Sequence, residues 1–299
     1  MKASSDPAAV RLSSRMVAIL AVVCGGGLMV GGCREAGRTA SSQHQPRRIV
    51  STSPAATEIL FALGVGSRVV GNTRYCDYPT EAAAVAKVGD VLADSISTEA
   101  VLELKPDLVV TDASLQPTLA DRFQKVGLNV VALRVDSIDA LKLEIDRMAN
   151  NLGISPTGLL DRLSEKEQAV ARRVGDRKRP TVFIHLGEPT LYTVGAGTVV
   201  SEIVTAAGGR NIFDDTPKPY LNISNEELVK RDPDVIVVTH SKDVAAFKKD
   251  MMTKPGFASL RAVKAGRVYF VSPDTLSRPG PRYVDAMTEL ADLFHPKAP

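Results

Sequence analysis

The chain has 299 residues, which is enough for two domains of ordinary size, and its apolar fraction of 44% and charged fraction of 24% are those of a globular protein. Residues 1–33 hold three basic residues and one acid, and the remainder has 34 basic and 33 acidic residues, a balance that does not support nucleic-acid binding. Tryptophan is absent and aromatic residues make up only 5% of the chain.

The N-terminal 33 residues predict an export signal. Arg11 and Arg15 precede an apolar run over residues 16–30, which is too short to span a bilayer as a helix but suits the core of a signal peptide. The run ends in Val30-Gly31-Gly32-Cys33. Small residues followed by a cysteine resemble the lipobox of bacterial lipoproteins, in which the cysteine is diacylated on sulfur and becomes the new N-terminus.

We therefore expect Cys33 to be lipidated and to anchor the chain to a membrane outside the cytoplasm. A plain secretory signal with an incidental cysteine is the alternative. Residues 34–46 then form a polar tether with almost no large apolar side chains. Cys76 is expected to remain as an unpaired thiol, so no internal disulfide is predicted.

Residues 47–154 predict a first lobe in which short apolar strands alternate with helices. Ser53-Pro54 has the pattern of a helix start, with serine as the cap and proline at the first helical position. Gly64 is a natural left-handed helix end. The expected strands lie at 48–50, 69–70 and 129–133, and the expected helices at 55–63 and 138–152.

One segment of this lobe occurs again 127 residues later. Residues 96–111 and 223–238 align without a gap and share Ile, Ser, Glu, Pro, Asp and a Val. Each copy predicts a serine-capped short helix, a Pro-Asp turn that ends it, and a strand buried on both faces. A single repeat at this distance predicts two similar lobes rather than a solenoid.

The second lobe, residues 178–299, repeats a further element of the first. Residues 201–208 resemble residues 57–64, since both contain Glu-Ile, an alanine and a terminal glycine. Between the lobes, residues 155–177 have apolar side chains at helical spacing among many charges, which predicts one bridging helix. The predicted fold class is α/β, with two similar lobes that have central parallel sheets flanked by helices and are joined by one long rigid helix.

These patterns resemble the periplasmic binding proteins of ABC importers whose lobes are joined by a rigid helix, and within that class the vitamin B12-binding receptors. The resemblance covers nearly all of residues 47–296. It is carried by five stretches, at 53–58, 76–79, 104–109, 208–213 and 279–282. The Asp77-Tyr78-Pro79 loop is the stretch that favours corrinoids.

The resemblance implies a function and a set of partners. The chain would be a substrate-binding lipoprotein that captures cobalamin or a related corrinoid between its lobes. It would deliver that ligand to a dimeric ABC permease with its ATPase, acting as a monomer with no cofactor and no catalysis of its own. Receptors for haem or for ferric siderophores belong to the same class and are the alternatives.

The resemblance also assigns a contact with the permease. By position in the repeated motif, Glu99 and Glu226 would dock the two lobes onto the two permease subunits. Two equivalent acids on two similar lobes suit a symmetric partner, and such charges chiefly set orientation and association rate. The alternative is that each glutamate is favoured only by the dipole of its own helix, by about 0.3–1 kcal/mol.

The ligand residues are likewise implied by the resemblance. Tyrosine rings and apolar groups would face the flat macrocycle, and charged groups would reach its polar rim. The predicted ligand residues are Tyr75, Asp77, Leu186, Tyr192, Tyr220, Asp274 and Arg278. The chain departs from the family here, because corrinoid clefts of these receptors tend to use several tryptophans.

A metal-ion receptor and an enzyme are two other classes of function to consider. His185, His240 and Asp274 each follow a strand of the second lobe and could converge at one sheet edge as metal ligands. Metal receptors of this type usually take ligands from both lobes, however, and the first lobe has no histidine, so no metal ligand is predicted. The chain also lacks the nucleophile-elbow, phosphate-loop and His-Glu-x-x-His motifs, so we predict that it is not an enzyme.

Overall fold

The computed structural model describes residues 45–296. The predicted signal, the lipidation residue Cys33 and most of the predicted tether lie outside the described residues. Within them, Cys76 is a buried free cysteine, as predicted. None of the described helices combines the length and the apolar character that crossing a membrane requires.

The first lobe is built on a four-stranded parallel sheet. Its strands are β1 (Ile49–Ser51), β2 (Val69–Asn72), β3 (Leu108–Asp112) and β4 (Val130–Leu133), in the order β2-β1-β3-β4. Its helices are α1 (Pro54–Ala62), α2 (Thr80–Ala83), α3 (Thr98–Glu103), α4 (Leu119–Lys125) and α5 (Ile138–Leu152). The central strands β1 and β3 are buried at every position, as expected of parallel strands covered on both faces.

The second lobe has its own four-stranded parallel sheet. The sheet strands are β5 (Thr181–His185), β7 (Arg210–Asn211), β9 (Val235–Val238) and β10 (Val268–Phe270), in the order β10-β9-β5-β7. An antiparallel pair, β6 (Leu191–Val194) and β8 (Tyr220–Ile223), is added beside it. The helices are α7 (Val199–Ala206), α8 (Asn225–Arg231), α9 (Val244–Met251), α10 (Arg261–Lys264), α11 (Pro273–Leu276) and α12 (Tyr283–Phe294).

The two sheets have the same strand order. In chain order, β1 to β4 of the first sheet correspond to β5, β7, β9 and β10 of the second. In both sheets the second strand of the chain lies at one edge, followed by the first, the third and the fourth. The antiparallel pair β6 and β8 is present only in the second lobe. The predicted fold class, with two similar parallel-sheet lobes, is therefore confirmed, and the antiparallel pair is an element that the sequence patterns did not predict.

The repeated segment forms the same structure in both lobes. Ser97 and Ser224 each cap a short helix by accepting the backbone N–H three residues later, with N–O distances of 3.1 and 3.2 Å. Each helix is followed, within two residues of its end, by a residue with left-handed backbone, Lys105 at φ 47° and Asp232 at φ 40°. Each of these residues precedes the proline of the Pro-Asp turn.

The aspartate of each turn has a structural role that explains its recurrence. Asp107 accepts the backbone N–H groups of Arg47 and Arg48, at 2.8 and 2.9 Å. Asp234 accepts the backbone N–H of Thr181, at 2.9 Å. In both lobes the turn therefore ties the start of the third strand to the start of the first strand, by satisfying backbone donors that precede the sheet.

A single helix connects the lobes. α6 (Thr157–Val174) has 18 residues, which corresponds to roughly 27 Å of helix. It packs its apolar face, which includes Leu159, Leu163 and Val170, into a core cluster that contains side chains of both lobes. α12 contributes Tyr283 and Leu290 to the same cluster. A shared core on both sides of the connecting helix opposes large rotations between the lobes.

Helix α5 offers a direct test of this core. Leu141 is fully buried in the shared core cluster, whereas Leu143, two residues away, is 71% exposed. We predict that Leu141→Ala lowers the free energy of unfolding by about 2–5 kcal/mol, because it removes buried methyl groups and leaves a cavity. Leu143→Ala, the matched control, should change it by less than about 0.5 kcal/mol. Equal effects in urea unfolding would contradict the described packing.

Candidate functional site

The carboxyl ends of the strands in both sheets define the candidate site. In open parallel sheets, ligands bind in the crevice outside these ends. In the first lobe the segments that leave this edge carry Glu58, Tyr75 and Asp77, which follow β1 and β2. In the second lobe they carry Leu186 after β5 and the segment from Asp274 to Arg282 after β10. We call these two surfaces the carboxyl edges.

A cluster of charged side chains joins the two carboxyl edges. Glu58 on α1 is only 3% exposed and lies between two arginines of the second lobe. Arg282 donates to both of its carboxylate oxygens, at 2.9 and 2.5 Å, and Arg278 donates to one of them at 3.2 Å. Arg278 also donates to Asp77 at 2.9 Å and to Asp274 at 2.8 Å. We call these five residues the clasp.

Mutual pairing favours the charged forms of Asp77 and Arg278. Burial opposes ionisation of Asp77, but the hydrogen bond and the charge of Arg278 outweigh it and hold the pKa of Asp77 below its ordinary value. Burial likewise lowers the pKa of Arg278, and its carboxylate partners reverse this and raise the pKa above the ordinary value. The clasp contains three acidic and two basic side chains, so its acidic groups outnumber its basic groups by one.

Neighbouring residues shape the clasp. The Arg282 guanidinium lies over the ring of Tyr78, 3.9 Å from its centroid, which is the geometry of a cation–π contact. Gly280 lies against Glu58, and a Cβ atom at this position would come within 3.0 Å of the Glu58 carboxylate. The Pro279-Gly280-Pro281-Arg282 stretch therefore leaves room for the carboxylate that Arg282 binds.

The structure brings three predicted ligand residues, Asp77, Asp274 and Arg278, together in the clasp. It adds Glu58 and Arg282, which the sequence analysis quoted as parts of motifs but did not assign to the site. The sequence did contain an indication that both residues matter, since Glu58 and Arg282 are the last residues of two stretches that carry the family resemblance. Nothing local in either stretch indicates that the two residues contact each other.

Two more predicted ligand residues, Tyr192 and Tyr220, form an aromatic pair. They lie diagonally across the β6–β8 ladder on one face, where Tyr192 is opposite Asn222 and Tyr220 is opposite Val194. Their rings are stacked, with centroids 6.1 Å apart and planes 18° apart, and both side chains remain partly exposed. Burial raises the pKa of Tyr220, so its hydroxyl is neutral at pH 7. The pair offers a flat apolar surface with polar tips.

The remaining two predicted ligand residues lie on the carboxyl edges outside these groups. Tyr75 is exposed, and Leu186 is half-buried with its backbone N–H bonded to the carbonyl of Tyr192 at 2.8 Å. Two further side chains of the first lobe, Leu92 and Leu115, are exposed, and no sequence motif assigned them to the site. The buried Gln116 holds their loops together, by donating to the carbonyl oxygens of Thr52 and Val91.

The predicted docking residues occupy equivalent places. Glu99 and Glu226 are exposed in the first turns of α3 and α8, two residues after the capping serines. The backbone N–H and the Ser97 hydroxyl lower the pKa of Glu99, and the Ser224 hydroxyl and the backbone lower that of Glu226. Both carboxylates are therefore charged at neutral pH.

Two other features lie near the site. His185 and His240 lie beside the carboxylate of Glu188. Asp274, the acid that the sequence placed with them, is bonded to Arg278. A cavity of about 900 Å³ lies beside the clasp, between α1, α6 and α12, and shares Glu58 and Arg282 with it. None of the seven predicted ligand residues lines this cavity. We favour the carboxyl edges as the ligand site, because they are where parallel sheets bind ligands.

The clasp yields a stability prediction. Glu58→Gln should lower the free energy of unfolding by about 3–5 kcal/mol, because it leaves two half-buried guanidinium groups without their shared carboxylate. The control is Asp285→Asn, which removes an exposed pair with Lys166 at 2.8 Å and should cost less than about 1 kcal/mol. Chemical denaturation of both variants checks this, and a small effect at Glu58 would refute the clasp as the contact that joins the lobes.

Comparison with known proteins supplies the family. Residues 49–275, more than half of the chain, match the model of the periplasmic binding protein family. The chain is 32% identical over 266 residues to an uncharacterized ABC transporter substrate-binding lipoprotein, YvrC of Bacillus subtilis. That match covers 84% of this chain and 81% of the relative.

Solved structures agree with this assignment. The periplasmic vitamin B12-binding protein BtuF of Vibrio cholerae matches with a TM-score of 0.72 and 26% identity, covering 84% of this chain and 97% of that one. The periplasmic heme-binding protein RhuT of Roseiflexus sp. RS-1 matches with a TM-score of 0.73 and 28% identity, covering 83% and 98%. The chain therefore belongs to the periplasmic binding protein family, the extracytoplasmic solute-binding proteins that deliver small ligands to ABC permeases.

Proposed function

We propose that this chain captures cobalamin or a related corrinoid between its two carboxyl edges and delivers it to the permease of an ABC importer. It would act as a monomeric lipoprotein anchored through Cys33, with no cofactor and no chemistry performed on the ligand. The observation that carries the choice of ligand is the clasp, in which both arginines are already paired with carboxylates.

The charge of the clasp separates the candidate ligands. A haem carries two propionates, which need unpaired cations or hydrogen-bond donors. Many ferric siderophore complexes also carry negative charge. A corrinoid has a rim of amide groups, whose N–H donors suit carboxylate acceptors such as Asp77 and Asp274. Both of these carboxylates are about half exposed and have further lone pairs to offer.

The tyrosine pair supports the same class of ligand. A corrin ring presents a broad, partly apolar face, and the stacked rings of Tyr192 and Tyr220 present a matching flat surface. Leu92 and Leu115 add exposed apolar side chains on the first lobe. The pair supplies apolar contact in a chain without tryptophan.

The heme-binding relative keeps haem as the alternative ligand. Exposed tyrosines at the carboxyl edges, Tyr75 among them, are a feature that haem could use, since tyrosine oxygen is a known ligand of haem iron. A direct comparison of binding decides between the two ligands.

The proposed membrane anchor has two supports. Cys33 follows two glycines at the end of the apolar run over residues 16–30. The similar protein YvrC of Bacillus subtilis is named a lipoprotein. The polar residues from 34 onward would give the binding lobes reach from the membrane surface.

Ligand titration tests the proposal. The chain without residues 1–33 should shift the absorption spectra of cyanocobalamin and cobinamide at one equivalent and leave that of haemin unchanged. Tyr220→Ala should weaken corrinoid binding about tenfold, equivalent to roughly 1.4 kcal/mol, because the stacked ring is lost. Tyr220→Phe is the matched control and should bind nearly as wild type does. Binding of haemin but of neither corrinoid would overturn the choice of ligand.

Transport tests the docking residues. Glu99→Ala combined with Glu226→Ala should abolish corrinoid uptake in cells that contain the importer, because both lobes lose the charge that orients them on the permease. Corrinoid affinity of the purified variant should stay within twofold of wild type. Glu103→Ala with Glu227→Ala, two exposed acids of the same helices, is the control and should still support uptake. Lost ligand affinity or normal uptake in the first variant would contradict the assignment.

A further inference from the structure

Three side chains outside the proposed ligand contacts converge at the carboxyl edge of the second sheet. His185 is the last residue of β5, Glu188 lies in the loop that follows, and His240 lies two residues beyond β9. One imidazole nitrogen of each histidine and one carboxylate oxygen of Glu188 lie within 4.8 Å of one another. We propose that His185, Glu188 and His240 form a binding site for a divalent transition-metal ion of the Zn²⁺ type.

The bonding of His185 gives independent support. Its side chain is fully buried, and its Nε2 lies 3.3 Å from the carbonyl oxygen of Thr190. A carbonyl oxygen can only accept, so Nε2 carries the proton and Nδ1 carries the lone pair. Among the described residues no hydrogen-bond donor reaches this Nδ1 atom. A buried acceptor without a partner costs about 1–3 kcal/mol, which a bound cation would offset.

The same hydrogen bond prepares His185 as a ligand. Histidines that bind metals almost always donate their other ring N–H to a carbonyl or a carboxylate, which sets the tautomer and the orientation of the ring. The Thr190 carbonyl has this position relative to His185.

The surroundings hold the two histidines in place. Their rings lie 4.4 Å apart in an edge-to-face arrangement, and the ring of Phe247 lies 5.5 Å from each of them. The Nε2 atom of His240 is 3.7 Å from a carboxylate oxygen of Glu188. The same oxygen is 3.9 Å from the ammonium of Lys254, which also approaches Asp250 at 3.7 Å. Lys254 can therefore remain paired with Asp250 when a cation takes over Glu188.

The ligand set selects the type of ion. Two imidazoles and one carboxylate form a common protein ligand set for Zn²⁺, with the fourth position left to water. Ca²⁺ and Mg²⁺ prefer oxygen ligands and do not suit this set. Tetrahedral Zn²⁺ brings its ligand atoms to about 3.3 Å from one another, so the cluster must contract on binding. Glu188 can supply most of this movement, because its side chain is 42% exposed, whereas both histidine rings are held by packing against Phe247.

The metal-receptor alternative considered from the sequence had a different third residue. That residue, Asp274, follows β10 but is 2.8 Å from Arg278 in the clasp. Glu188 takes its place because the loop after β5 turns back toward β6 and lies against the end of β9. A cation here would join two loops of the second lobe without using either arginine of the clasp.

Calorimetric titration with Zn²⁺ alone tests the site. The chain without residues 1–33 and without a purification tag should bind one equivalent of Zn²⁺ at neutral pH. Glu188→Gln and His240→Gln, both at exposed positions and so expected to fold, should each weaken binding at least tenfold. Asp285→Asn, an exposed acid away from the set, should bind as wild type does. Co²⁺ in the same protein should give the visible spectrum of a tetrahedral nitrogen–oxygen site.

Two outcomes would overturn the site. Wild-type protein that binds no stoichiometric Zn²⁺ refutes it, and so does Zn²⁺ binding that Glu188→Gln and His240→Gln leave unchanged. Binding that is lost in His44→Gln instead would assign the ion to the predicted tether. No corrinoid is present in these titrations, so their result does not depend on the proposed transport function.

Discussion

The buried Glu58 carboxylate between Arg278 and Arg282 is the contact on which the architecture of the site depends. Glu58 lies near the start of the first lobe and both of its partners lie near the end of the second lobe, so the contact holds the carboxyl edges of the two sheets against each other. A buried ion pair of this kind adds little net stability over a well-packed apolar contact. Removing only one of its partners, however, strongly destabilises the protein, because the other charge stays buried without a partner. Its main effect is therefore on geometry, because only one arrangement of the lobes pairs all five charges of the clasp.

Duplication and asymmetry serve different purposes in this chain. The repeated segment places Glu99 and Glu226 at equivalent positions after capping serines, and the Pro-Asp turns secure the following strands through Asp107 and Asp234. That symmetry suits a permease with two similar subunits. The β6–β8 pair breaks the symmetry, because it exists only in the second lobe and carries the stacked tyrosines. The asymmetric element carries Tyr192 and Tyr220, two of the residues proposed to contact the ligand.

Charge at the site supports one class of ligand within a family that handles several. Related structures include proteins for vitamin B12 and for heme, so the fold alone does not select the ligand. The clasp has no unpaired guanidinium for an anionic ligand, and its outer carboxylates are acceptors for amide groups. The cluster of His185, Glu188 and His240 is chemically separate, because it combines two imidazoles with a carboxylate that lies outside the clasp.

Local sequence patterns were sufficient to predict the two lobes, the connecting helix and several elements of the first lobe, with α5 predicted at its observed limits of 138 and 152. Serine caps, Pro-Asp turns and buried apolar runs depend on residues close together in the chain, so the helices and strands that they form can be predicted from the local sequence. The clasp could not be read in this way, because Arg278 lies 201 residues from Asp77 and Arg282 lies 224 residues from Glu58. Such contacts arise only when both sheets are folded and packed through a shared core. For the same reason packing drew Asp274 to Arg278 and left Glu188 as the acid beside the two histidines.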